Sequence, residues 1–336
     1  MSKKIVYRSI FAPYFNSFLQ MKEQMGFGLS KFQDVFKELD RFFLITSATE
    51  PHITREQITA WSETRINDKA RTLYDKHSII RQFCRYMCHL GYECYIHRLP
   101  RQNWPPFIPY VFSHEQMESI FRVSDKLTLP YRSMTSVLIT VPCLIRLLYS
   151  TGMRIGEAIS IKNEDVDLSR KSILLKRTKN QMERLLPLCP SLFEVLTQYK
   201  ACRDRMPIKG ISAPTAFFFV STIGKPIGIG SITRWFREIL VQCGIPRRSD
   251  GEGPRIHDIR HTTAVHSLIK MVRDGMDIYC AMPILSVFLG HKSLKGTETY
   301  VRLTSEMYPE IIRMESSITS FVFPSNPYKE IDHGND

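Results

Sequence analysis

The chain has 336 residues, 43% of them hydrophobic, with 46 Lys and Arg against 33 Asp and Glu, giving a formal net charge of +13. That length suits two domains with real cores rather than one small one, and the positive excess attracts polyanions, nucleic acid first, although a merely soluble basic protein shares it. The opening run MSKKIVYRSIFAPYF lacks an unbroken apolar core, and Val137–Tyr149, the most apolar stretch, is interrupted by Pro142 and Arg146. No signal peptide or membrane span is therefore expected, and a soluble cytoplasmic protein is.

From the amino terminus the pattern is helical. Phe32, Val35, Phe36, Leu39 and Phe43 recur at helix spacing. Thr54 and Gln57 form a capping box ahead of ITAWSETRI. A third helix spans about Arg71 to Leu90, with Ile79, Ile80, Phe83, Met87 and Leu90 on its apolar side and Gly91 stopping it. Lys69, Arg71, Lys76, Arg81 and Arg85 make this region either a solvated basic face or one that grips phosphates. Eight cysteines are scattered without a CxxC pair. Cys84, Cys88 and Cys94 lie near His89 and His97, which fits zinc or, on the i,i+4 apolar spacing of Cys84 and Cys88, buried thiols.

LPRQNWPPFIPYVF, residues 99–112, holds four prolines and reads as a semi-extended linker. Ser113 with Gln116 then caps a new helix. Val137–Tyr149 reads as a buried helix. KSILLK (171–176) and ERLLPL (183–188) flank the polar RTKNQM as a hairpin, and FFFVS (217–221) reads as a third strand. Amphipathic helices resume near Ser231. The fold expected is mainly α with a small antiparallel β-sheet.

Four patches carry unusual polar residues. In LLYSTGMRIGEAISIKNEDVDL, Gly152 ends an apolar helix and Arg154 opens the next, with Glu157 one turn on. Lys179 sits in the hairpin turn. In PRIHDIRHTTAVHS, His257 and Arg260 are three apart at a helix start. In VFLGHKSLKGTETYVRL, Gly290 ends a helix, His291 follows, and Thr297 is placed as the N-cap of a helix bearing Tyr300. Each alone is weak; the order of all four is what is specific.

Phosphodiester exchange gives these residue types a common purpose. Guanidiniums stay charged and fork onto two non-bridging oxygens, which suits Arg154 and Arg260, with His257 as a further donor. Losing one such donor costs about 3–4 kcal/mol of transition-state stabilisation. The leaving 5′-oxygen needs a proton, for which Lys179 is placed as general acid, with Lys176 nearby as the alternative. Tyr300 is the nucleophile. His291 would bond the phosphate or orient the tyrosine, and Glu157 would orient a neighbouring donor. The chain has no carboxylate cluster of the two-metal type and no GxxxxGK[ST] run, so no metal, nucleotide or other cofactor is expected.

These patches resemble the catalytic domain of the tyrosine recombinase (phage integrase) family over about residues 110–305. TGMRIGEA is similar to its first arginine box, RTKNQMERLLPL to its lysine-bearing strand pair, HDIRHTTA to its HxxRH box and LGHKSLKGTETY to the box ending in the nucleophile. The resemblance implies roles for Arg154, Lys179, His257, Arg260, His291 and Tyr300, with Glu157 matching the acidic residue after the first arginine. It further implies a two-domain enzyme: a helical core-binding domain (1–98) and a catalytic domain (113–306) that clamp DNA, joined by the linker 99–112. A tail (307–336) with an apolar face of Ile318, Phe321 and Val322 would dock on a neighbouring protomer or on its own domain. The implied function is metal- and ATP-independent site-specific recombination through a 3′-phosphotyrosine, by a homotetramer on two double-stranded DNA sites. It would serve integration, excision or transposition of a mobile element. The alternatives are DNA relaxation of the type IB topoisomerase kind and a non-catalytic DNA-binding regulator.

Overall fold

The computed structural model describes residues 5–102, 104, 108–128, 136–176, 183–246, 253–291, 293–294, 296–298, 300 and 303. Lys179 and the tail 307–336 lie outside the described residues. The chain divides into two units, Met1–Phe107 and Ile108–Asp336.

The first unit contains α1 (Ala12–Gln24), α2 (Ser30–Ile45), α3 (Arg55–Glu63) and α4 (Ala70–His89). Its core is aromatic: Phe11, Phe15, Phe18, Phe36, Phe43, Phe83 and Trp61 are all buried. Phe15 stacks on Phe36 at 4.5 Å, while Phe18 meets Phe83 edge-on at 5.7 Å. Edge-on and offset contacts suit the ring quadrupole. Thr54 and Gln57 close the capping box of α3, and Gly91 follows α4 at φ +91, a left-handed conformation that glycine adopts without a Cβ penalty. Lys76 leaves the basic face of α4: its Nζ donates to Glu38 and Asp68 at 2.8 Å. Arg71 and Arg85 remain exposed. Cys84 is a core residue whose thiol burial pushes far up.

The second unit is built round α6 (Val141–Thr151), which follows a 3-10 turn at Leu138–Thr140. Val141, Cys143, Leu144, Ile145, Leu147 and Leu148 are buried, as an all-round apolar helix requires. Pro142 occupies its first turn, where a missing N–H breaks no helical bond. Around it lie α5 (His114–Asp125), α7 (Ile155–Ser160), α8 (Pro190–Asp204), α9 (Ile229–Gln242), α10 (Asp258–Arg273) and α11 (Ile278–Leu289). Val111 and Phe112, from the end of the proline-rich stretch, are buried here, and the Phe112 N–H donates to Thr262 Oγ1 at 3.0 Å. The end of that stretch is therefore packed, not a free spacer.

A small sheet has the order β1 (Val166–Asp167), β2 (Ser172–Leu175), β3 (Arg184–Pro187), all antiparallel. Leu175 faces Arg184 across the hairpin. The third strand is thus Val166–Asp167, not 217–221. The latter segment makes only isolated bridges, Lys162 to Phe217 and Val220 to Pro226. Its rings Phe218 and Phe219 are buried in the core, packed with Tyr199. No helix of the described residues is long and apolar enough to cross a membrane.

Candidate active site

Two left-handed glycines create the scaffold. Gly152 closes α6 at φ +60 and Gly290 closes α11 at φ +67. A side chain at Gly152 would meet Leu289 Cδ2 at 2.7 Å, so the two helix ends touch only because it has none. Arg260, in the first turn of α10, ties these ends together. Its Nη1 donates to the Gly152 carbonyl and its Nη2 to the Leu289 carbonyl, both at 2.7 Å. These are the orphan acceptors that a helix C-terminus leaves.

Arg154 is the N-cap residue of α7. Glu157 accepts the Arg154 backbone N–H on Oε2 at 3.0 Å and its Nη1 on Oε1 at 2.8 Å. The same carboxylate accepts Arg184 Nη2, from the start of β3, at 2.9 Å. Burial alone would raise the Glu157 carboxyl; the Arg154 amide and the two guanidiniums hold it below its ordinary range. Two guanidiniums thus flank one carboxylate, and Arg260 is near enough to feel the charges of all three.

His257 occupies the N-cap position of α10, with His261 one turn on. Their rings meet edge-on at 5.2 Å. Tyr300 lies 5.7 Å from His261 and stacks on His291 at 5.9 Å. His291 is fixed by Thr297, whose hydroxyl lies 2.9 Å from its Nδ1. Thr297 is not the N-cap expected of it. Residues 296–298 are already helical, and the Thr297 and Glu298 amides donate to the Leu294 carbonyl. Its hydroxyl serves the histidine instead.

Tyr300 is 3% exposed. Burial raises its phenol above the ordinary value, while the positive charges of Arg260 and Arg154 pull it back. Burial pushes Arg260 down to about 10, still protonated at neutral pH. His257 and His291 are each pushed down to about 4, by burial and then by Arg260 and Arg154. His261 falls to about 3, by burial and then by His257 and Arg260. The rings of His261 and His291 and the charges of Arg260 and Arg154 thus lie about one phenol, an arrangement suited to receiving an anion.

The structure brings Arg154, Glu157, His257, Arg260, His291 and Tyr300 into one cluster. Lys176 is engaged elsewhere, with Asp165 at 3.0 Å and Glu164 at 3.7 Å. Two neighbours escaped the sequence reading. Arg184 had a signal: Leu185 is exposed and Leu186 buried, so period-2 alternation turns Arg184 to the inner face. His261 had one in its i,i+4 spacing from His257. Among the described residues no group of three or more His, Cys, Asp or Glu could hold a metal ion.

Known proteins match this architecture. Residues 111–307 fit the model of the phage integrase family. A Sinorhizobium fredii (strain NBRC 101917 / NGR234) protein named as an integrase/recombinase, y4rB, is 28% identical over 311 residues, 91% of this chain and 96% of that one. The tyrosine recombinase XerC of Chlamydia caviae is 30% identical over 245 residues, 72% of this chain and 70% of its own. In fold, the crystal structure of the XerH site-specific recombinase on a palindromic difH substrate, a post-cleavage complex, is similar at a TM-score of 0.61 and 18% identity. That likeness covers 88% of this chain and 80% of the other. The chain belongs to the phage integrase family and is a tyrosine recombinase, an enzyme of site-specific DNA recombination.

Proposed function

We propose that Tyr300 is the nucleophile and that the pocket around it receives the scissile phosphate. The Tyr300 hydroxyl oxygen attacks phosphorus, and the bond to the 5′-oxygen breaks, leaving a 3′-phosphotyrosine. Arg154 and Arg260 neutralise the two non-bridging oxygens, His257 adds a donor and His291 orients the phenol. The phenolic proton passes to His261 or His291, the imidazoles whose rings lie against the phenol. Lys179 protonates the departing 5′-oxygen; the pairing of Lys176 with Asp165 and Glu164 supports this choice. Rejoining is the reverse, with a 5′-hydroxyl attacking the phosphotyrosine, so no external energy source is needed.

Two duplexes have four strands to cut and rejoin, one tyrosine for each. That stoichiometry supports a homotetramer on two DNA sites, inside the cytoplasm where the DNA is. Residues 1–98 would act as the core-binding domain and 113–306 as the catalytic domain on the same site, in integration, excision or transposition of a mobile element.

The observation that carries the reading is Tyr300 buried against Arg260, within a cluster whose positive charge exceeds its negative. The test is covalent capture. The protein is incubated with a pool of nicked random duplexes, denatured, and digested for peptide mapping. A nucleotide adduct on the peptide bearing Tyr300 is expected, with none from Tyr300→Phe, which still binds DNA. Adduct on another residue, or an undiminished yield from the variant, overturns the proposal.

A further inference from the structure

Arg184 stands in the pocket without a part in the reaction as described above. Its side chain is 10% exposed and its guanidinium donates to Glu157 Oε2, the carboxylate whose other oxygen holds Arg154 Nη1. It also lies against Gly290: a methyl group there would collide with Arg184 Nη1. His291, the next residue, is among the groups that feel its charge. Arg184 thus touches both the element that presents the first arginine and the turn that presents the second histidine.

From this we infer that Arg184 is a positioning residue that neutralises Glu157, so that the charge of Arg154 remains available to the scissile phosphate. The inference rests on the reading of the pocket given under Proposed function. Glu157 is buried and needs a cation. With Arg184 in place, Glu157 shares two guanidiniums and Arg154 keeps most of its field for another anion. Without Arg184, the carboxylate and Arg154 form a closed pair whose charges cancel, and the phosphate competes with Glu157 for the same fork. Lysine at 184 would keep the charge and lose the planar guanidinium that fits between Glu157 and Gly290.

The test is a double-substitution cycle on a nicked duplex recovered by covalent capture, comparing adduct rate with DNA affinity. Arg184→Met is expected to slow adduct formation about tenfold or more with affinity changed less than about threefold, as for an interaction used in the transition state. In a Glu157→Gln background, where nothing remains to neutralise, the same change is expected to cost less than about threefold. The defect is also expected to shrink on a methylphosphonate duplex, whose scissile group carries no charge for Arg154 to meet. Arg184→Lys is expected to fall between Met and the native residue. Equal defects in both backgrounds and on both duplexes would mean that Arg184 only supports the fold, and would overturn the inference, as would a native rate for Arg184→Met. If Arg184→Met melts early and loses DNA binding, the same cycle run with Arg184→Lys decides by the same criterion. A native chain that forms no adduct at Tyr300 removes the underlying reading; a native chain that forms it beside an unaffected Arg184→Met removes only this inference.

Discussion

The two units bury charge in different ways. In the first, each buried charge meets its own partner. Asp40 accepts the amides of Arg8 and Ser9 at 2.8–3.0 Å, and Lys22 donates to Gln82 while its ammonium lies over the rings of Phe18, Phe27 and Phe32. The second unit has an equally closed case in Arg203, fully buried between Asn163, Asp204 and the Phe218 carbonyl. Near Tyr300, however, Arg154 and Arg184 share the carboxylate of Glu157, while Arg260 is held by the Gly152 and Leu289 carbonyls and has no ion pair of its own among the described residues. A buried charge is thus no mark of function by itself; an uncancelled group of them is, because its desolvation is offset only when an anion arrives.

The largest expected effect breaks that imbalance. Arg260→Met should lower the adduct rate by about 10²–10³-fold and also lower the melting temperature, since the Gly152 and Leu289 carbonyls lose their donor. Adduct kinetics and thermal melting check both; a rate within a few-fold of native would place the phosphate elsewhere. The counterpart in the first unit is Asp40→Ala, which strands the buried Ser9 amide and the part-buried Arg8 amide and should cost about 1–3 kcal/mol of stability. Denaturant unfolding reads this, and the adduct rate per DNA-bound molecule should stay native.

A smaller effect is expected from pH. His257, His261 and His291 have folded values of about 4, 3 and 4 against 6.5 for the free group. Between pH 6.5 and 4 the unfolded chain therefore binds more protons, and stability falls as the pH falls, being fully present above 6.5. A phosphate in the pocket favours the protonated imidazoles and raises their folded values, so the DNA-bound chain should lose less stability on acidification than the free chain. Melting curves at pH 7 and pH 5, with and without DNA, measure the difference; equal losses would argue against phosphate beside these rings. The smallest effect is at Lys37, whose pair with Asp34 is solvent-exposed. Lys37→Ala should shift stability by no more than about 0.5 kcal/mol and leave the adduct rate unchanged.

What could be read from the sequence follows the range of the interactions. The capping boxes Thr54/Gln57 and Ser113/Gln116, the stop at Gly91 and the 171–188 hairpin depend on residues a few positions apart, and their patterns are local. The phenylalanines of 217–221 gave a strand pattern, yet they pack as core around Tyr199 because the neighbouring sheet edge is taken by Val166–Asp167, too short a run to show periodicity. Thr297 has good N-cap chemistry, but its hydroxyl is drawn to His291. Arg184 shows in the sequence only as a strand residue, which it is, because its partners Glu157 and Gly290 are 27 and 106 positions away.

The central claim is most directly tested by a crystal structure of the full chain trapped on a nicked duplex. The account predicts phosphorus bonded to Tyr300 Oη, with the Arg154 and Arg260 guanidiniums about 3 Å from its two non-bridging oxygens and Arg184 still on Glu157. A phosphate held away from both guanidiniums, or joined to any other side chain, would contradict it.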